Sequence, residues 1–128
     1  MSYEVPANLK YTSDHEWVSS SESELLIGIT DHAQDSLGDV TFVELPDVGA
    51  RFGEKEVFGV VESVKAASDL YMPVAGEIIE VNDGLNDSPE TVNSDPYGEG
   101  WMIKVRPDQP DSVSNLLDAE SYGKEIGD

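Results

Sequence analysis

The stretch that decides the fold is Glu56-Val57-Phe58-Gly59-Val60-Val61-Glu62-Ser63-Val64-Lys65-Ala66-Ala67-Ser68-Asp69-Leu70-Tyr71-Met72-Pro73-Val74-Ala75-Gly76-Glu77-Ile78-Ile79-Glu80-Val81-Asn82. It reads as strand, short polar turn, strand. Val57, Gly59 and Val61 fall on one face of the first strand, Phe58 and Val60 on the other, and Ile79 and Val81 oppose Ile78 in the return strand. Alternation of this kind, rich in β-branched residues, marks strands with one face toward a core. Between the strands, Ser63, Ala66, Ala67 and Ser68 surround a single lysine, Lys65. A hairpin over 56–82 with a lone amine near its tip offers that amine to solvent on a firm base, an accessible target for a modifying enzyme. The same pattern also fits an ordinary surface lysine at a turn.

Outward from this hairpin, the chain of 128 residues is expected to be a single domain, 1–128, with one modest core. Lys and Arg total 7 against 27 Asp and Glu, a formal net charge of -20. That charge argues against nucleic acid, whose phosphates need cationic partners, and against anionic membrane surfaces. It favours a self-repelling protein whose partners present positive rims, and it suits a salt-rich cytoplasm in which the repulsion is screened. There are no cysteines, so thiol chemistry has to come from an attached group. The first residues lack a cationic start and an apolar run, so no signal peptide is expected. No stretch approaches the length of a membrane span. The expected location is cytoplasmic.

On the N-terminal side, Trp17-Val18 begins a strand. Residues 19–24 read as a turn, and Leu25, Ile27 and Ile29 mark a second strand. Thr30 through Gly38 reads as a short helix. Thr30 or Asp31 caps it, Gln34 holds the reciprocal capping position after Asp31, and Gly38 stops it. Asp39 to Leu45 is a strand, and Arg51-Phe52 a brief extended piece. On the C-terminal side, 83–99 reads as a long polar connection in which Leu85 anchors one helical turn. Gly100 to Arg106 is the last strand, with Trp101, Ile103 and Val105 inward and Pro107 ending it. A helical segment of about 111–126 follows. Asp111 caps it, Val113, Leu116 and Leu117 form its stripe, and a second short helix after Asp118 is the alternative. Short strands separated by glycine and proline turns predict an all-β sandwich or small barrel.

The segment Glu62-Ser63-Val64-Lys65-Ala66-Ala67-Ser68-Asp69 resembles the lipoyl-attachment motif of the glycine cleavage system H-protein family. The resemblance extends along nearly the whole chain. It includes Tyr11 with His15-Glu16-Trp17-Val18, Gly28 to Asp35 with Leu37 to Val40, Leu45-Pro46 with Gly49, and Tyr71 with Pro73 and Gly76-Glu77. Asn82, Pro89, Asn93, Pro96-Tyr97 and Gly100-Trp101 complete it.

The resemblance implies a lipoyl/biotinyl-type sandwich of two small antiparallel sheets, a barrel-sandwich hybrid, with short helices. It implies lipoate bound through an amide to Lys65, with Glu62 and Asp69 recognised during attachment. It also implies a surface cleft for the loaded arm, formed by Glu16, with Asp14 and Asp69. A bound methylamine is cationic, and a partly enclosed carboxylate pairs with it well. Some members of that family carry histidine where this chain has Ser36, which leaves open any contact needing an imidazole there. The implied role is a non-catalytic, monomeric shuttle. Its partners are a pyridoxal-phosphate glycine decarboxylase, a tetrahydrofolate-dependent aminomethyltransferase, a flavin (FAD) dihydrolipoyl dehydrogenase, and the lipoyl ligase or transferase that installs the arm.

Other chemistries find little in the residues. Biotin carriers place methionines beside their lysine, whereas Val64 and Ala66 flank Lys65. The two histidines, His15 and His32, lie in different elements, and nothing in their spacing demands a metal. A calcium loop starting at Asp83 has Ser88 where it needs glycine and Ser94 where it needs glutamate. The rival readings are a lipoyl domain or relay for 2-oxoacid dehydrogenases, and an unmodified acidic β-sandwich that binds a partner.

Overall fold

Apolar alternation along residues 3–21 and 24–126, the parts described by the computed structural model, builds two antiparallel sheets with short helices at their margins. The strands are β1 (Lys10–Tyr11), β2 (Glu16–Ser21), β3 (Glu24–Ile29), β4 (Val40–Glu44), β5 (Arg51–Phe52), β6 (Val57–Ser63), β7 (Ala67–Tyr71), β8 (Gly76–Val81) and β9 (Ile103–Pro107). The helices are α1 (Asp31–Leu37), α2 (Gly84–Asp87), α3 (Thr91–Ser94) and α4 (Ala119–Glu125), with a 3₁₀ turn at Pro110–Asn115. One sheet runs β1-β2-β3-β9-β8-β5 and the other β4-β6-β7. They pack face to face over Val18, Ile27, Ile78, Ile103 and Val105 from the larger sheet and Val43, Phe58, Val61 and Leu70 from the smaller. The sheets are open; they form a sandwich, not a barrel. No described helix is long and apolar enough to cross a membrane.

The lysine hairpin is shorter than 56–82. Its return strand is β7, paired with β6 from Glu62↔Ala67 to Val57↔Tyr71. Beyond Tyr71 the chain passes Pro73, which cannot donate to a ladder, and crosses to the larger sheet, where β8 pairs with β5 and β9. The strict alternation also breaks. A register shift between Val57 and Gly59 turns Phe58 and Val61 inward and leaves Val57 exposed. A second shift between Ile78 and Glu80 brings Ile78 and Val81 together on the core. A bulge adds one residue to one strand, so the faces exchange across it.

Other boundaries follow from local hydrogen bonding. Thr30 is the N-cap of α1, its Oγ1 accepting from Ala33 N–H, and Gly38, at φ 79°, ends the helix. Gln34 does not close a capping box; its side chain donates to Asp31 Oδ1 at 2.8 Å. The turn expected over 19–24 narrows, because β2 runs to Ser21 and β3 starts at Glu24; its tip lies outside the described residues. The 83–99 connection holds two helical turns, not one, with Leu85 and Val92 buried beneath them. β9 starts only at Ile103, so Met102 is buried and Trp101 packs in a second cluster around Tyr11, Trp17 and Tyr122. Pro107 is the last residue of that strand, paired with Gly76. The tail breaks at Leu116-Leu117. Leu117 bridges to Tyr11, and α4 is capped by Asp118, whose side chain accepts from Ser121 N–H at 2.8 Å. Asp111 therefore lies within the 3₁₀ turn and caps no α-helix.

Candidate functional site

The tip of the β6–β7 hairpin is stiffened by its own serine. Ser63 N–H donates to Ala66 O at 2.7 Å, while Ser63 Oγ accepts from the Lys65 and Ala66 amides at 3.3 and 3.1 Å. A serine hydroxyl satisfying following amides is a local turn-former. Val64 N–H donates to Asp39 O at 3.1 Å, tying the tip to the chain that leads into β4. These bonds hold a turn on which Val64 and Lys65 project into solvent; Val64 is 70% exposed. The lysine stem passes over the end of α1: a Cβ built on Gly38 would lie 3.3 Å from Lys65 Cε and 3.9 Å from Nζ. Both flanking acids are exposed, Glu62 opposite Ala67 and Asp69 opposite Val60.

β7 is an edge strand, and between it and α1 lies a cleft of about 240 Å³. Ile29, Ala33, Leu37, Val61 and Leu70 give it an apolar lining, and Asp14, His15, His32, Ser36, Ser68 and Asp69 add polar groups. Its α1 wall is held by Asn93. That side chain accepts from Val40 N–H at 2.8 Å and donates to Gln34 Oε1 and Gly38 O, each at 2.9 Å.

Of the acids singled out for the cleft, Asp14 and Asp69 line it and Glu16 does not. Asp14 meets Lys55 Nζ at 3.6 Å in a partly exposed pair, an interaction of small energy in water. Glu16 is 1% exposed and sits behind the wall. One of its oxygens accepts from the Thr12 hydroxyl at 2.6 Å and the other from Tyr71 N–H at 3.2 Å, so this carboxylate joins β2 to the edge of β7. Burial pushes the Glu16 carboxyl from its ordinary 4.5 to about 7, against the two hydrogen bonds that pull it down.

His15 and His32 lie in different elements, and their spacing leaves open whether they meet; the structure puts both on the cleft, ring centroids 4.7 Å apart. Their separation in the chain carries no signal for this meeting. Only the packing of α1 against the turn before β2 creates it. Among the described residues no three His, Asp or Glu side chains are grouped as a metal ion requires.

The arrangement provides an exposed amine on a firm turn, small neighbours that leave it open, and an adjacent cleft, part apolar and part anionic. Such a cleft suits an apolar arm ending in a cation. Comparison with known proteins points to one family. The family model described as glycine cleavage H-protein matches residues 9–128. A glycine cleavage system H protein from Chromohalobacter salexigens is 57% identical over 119 residues, covering 92% of this chain and 91% of its own. One from Alkalilimnicola ehrlichii is 56% identical over 126 residues, 98% and 97% of the two chains. The crystal structure of a glycine cleavage system H protein from Mycobacterium marinum is similar with a TM-score of 0.89 at 40% identity, over 96% of this chain and 99% of that one.

Proposed function

Because this chain belongs to the glycine cleavage H-protein family, we propose that Lys65 is the residue through which it bears lipoate, as an amide of Nζ. The protein is the lipoyl-bearing shuttle of the glycine cleavage system, which carries the aminomethyl group of glycine between enzymes. When bound, lipoate supplies a disulfide that takes up that group and is a dithiol once the group has been passed on. Everything else is the work of the chain. The single observation that carries the assignment to Lys65 is an exposed amine on a hydrogen-bonded turn, its stem over Gly38 at the end of α1, the helix that forms one wall of the cleft.

In this reading Glu62 and Asp69, on the strands either side of the tip, are what the lipoyl ligase or transferase recognises. The apolar lining of Ile29, Leu37, Val61 and Leu70 takes the hydrocarbon of the arm, and Asp14 and Asp69 face its cationic end. Glu16 supports that end from behind, through its hold on Tyr71 N–H. Its partners are the pyridoxal-phosphate glycine decarboxylase, the tetrahydrofolate-dependent aminomethyltransferase and the FAD-dependent dihydrolipoyl dehydrogenase. A net charge of -20 calls for basic rims on those enzymes and speeds encounter with them. The protein works as a cytoplasmic monomer that carries without catalysing, its contribution being the tether that keeps reactants together.

Intact mass after treatment with a lipoyl ligase and lipoate tests the assignment. One lipoyl increment on the wild type and none on Lys65→Arg is the expected result; an increment that survives the substitution refutes it. Glycine–bicarbonate exchange with the decarboxylase, dependent on the lipoylated protein, then separates this role from that of a 2-oxoacid dehydrogenase lipoyl domain.

A further inference from the structure

One buried hydroxyl joins α4 to the two elements that carry His15 and His32 in the cleft, the turn before β2 and α1. Tyr122 of α4 is fully buried and stacks on Tyr11, ring centroids 4.7 Å apart and planes 10° from parallel. Its oxygen lies 2.7 Å from Thr30 Oγ1 and 2.8 Å from His15 Nδ1. One assignment of protons gives every donor in this triad an acceptor. Thr30 Oγ1 accepts the Ala33 amide as the cap of α1, and the acceptor available for its own proton is the Tyr122 oxygen. Tyr122 then has its proton left for His15 Nδ1. In a neutral imidazole whose Nδ1 accepts, the proton is on Nε2.

The His15 ring is held firmly in this orientation. Its backbone is in the left-handed region at φ 71°, a conformation that residues other than glycine adopt only where their surroundings hold them in it. The conformation is fixed by His15 N–H donating to Thr12 O and by Thr30 N–H donating to His15 O, each at 3.1 Å. His32 packs on the ring from α1, tilted by 31°. The charged and titratable groups around the imidazole are Asp14, His32, Tyr122 and Glu125. Burial, with His32 adding to it, lowers the His15 pKa against Asp14 and Glu125, which favours the neutral ring. His15 lines the cleft, and its Nε2 has no protein partner among the described residues. His32 Nδ1, in the same wall, is buried with no partner either. A buried polar nitrogen without a partner, as at His32, is costly, whereas His15 Nε2 opens onto the cleft and is free to meet a group docked there.

We infer that His15, oriented by Tyr122, donates a hydrogen bond from Nε2–H to the docked arm, at the sulfur that the aminomethyl cargo leaves free. The inference rests on the arm-cleft reading above. The two ends of the cleft chemistry then complement the cargo. Asp14 and Asp69 face the cation, and a neutral donor faces the sulfur; an imidazolium in its place would repel the ammonium. Tyr122 acts here as a positioning residue, through His15.

Two-bond ¹H–¹⁵N correlation spectra of the full chain, together with iodoacetamide labelling of the glycine-loaded lipoyl protein, test this. In the unmodified wild type His15 is expected as the Nε2–H tautomer. Loading the arm should move its Nε2 resonance, and the free thiol should label far more slowly than in the urea-unfolded chain. Tyr122→Phe keeps the stack on Tyr11 but removes the hydroxyl. It should mix the tautomers and speed labelling about fivefold, the equivalent of one ordinary hydrogen bond. His15→Asn, a residue tolerant of positive φ, should speed labelling to the same degree, and gives the answer even if Tyr122→Phe folds poorly. An Nδ1–H tautomer, or a protected thiol with an unmoved Nε2 resonance and unchanged labelling in both variants, overturns the role of His15 while leaving the cleft standing. A wild-type thiol that labels as fast as in the unfolded chain removes the docked arm itself, and this inference with it.

Discussion

Replacing Glu16 by glutamine should abolish the pH dependence that this one buried acid imposes on the fold. Glu16 is 1% exposed and holds its proton up to about pH 7, against an ordinary 4.5. The folded state therefore binds the proton more tightly than the unfolded chain does. The stability gained in this way is complete below 4.5 and is lost as pH rises through about 7. Over that window the gap in proton affinity corresponds to about 3 kcal/mol. Glutamine stands in for the protonated acid. Its oxygen accepts from Tyr71 N–H, and its amide faces the Thr12 hydroxyl. The titration of the many surface carboxylates is common to both proteins and cancels in their difference.

Urea unfolding at pH 4.5, 6, 7 and 8 in constant high KCl, followed through the buried Trp17, measures that difference. The two proteins should have similar midpoints at pH 4.5. At pH 8 Glu16→Gln should be the more stable by about 3 kcal/mol, a midpoint gap of about 2 M urea for a chain of this size. A difference that stays constant from pH 4.5 to 8 would refute the argument. It would mean that the Thr12 and Tyr71 hydrogen bonds stabilise the ionised form as strongly as burial penalises it.

Three further substitutions or conditions probe the frame of the site. Gly59→Ala drives a Cβ to 2.3 Å from Glu44 O at the β4–β6 pairing, and should cost about 3 kcal/mol by chemical denaturation; a loss below 1 kcal/mol would mean that the bulge relaxes freely. Asn93→Ala removes three hydrogen bonds around α1 and β4 and should cost about 2–3 kcal/mol, with amide exchange accelerating first at Val40. Lowering KCl from molar to about 0.05 M should reduce the urea midpoint, because a net charge of -20 is then no longer screened; equal midpoints at both salts would show that self-repulsion is unimportant to this fold.

What the sequence determined by itself was whatever depends on near neighbours. Alternation over Leu25 to Ile29 marks a strand, since side chains two apart share a face. Thr30 and Gly38 bound a helix, since they satisfy or end it locally. Serine and alanine around Lys65 keep a turn small and open. The tertiary structure alone decided which strands pair, and so which faces are buried. β8 follows the hairpin in the chain but joins the other sheet, and bulges at Val57/Gly59 and Ile78/Glu80 exchange faces that a strict two-residue period assigns otherwise. It also decided that Glu16 is enclosed behind the cleft while Asp14 and Asp69 line it, and that His15 meets His32 and Tyr122. The physical reason is the same throughout. A turn or a cap is settled by bonds within a few residues, whereas burial, a shifted proton affinity or a paired imidazole depends on distant segments brought together by the core.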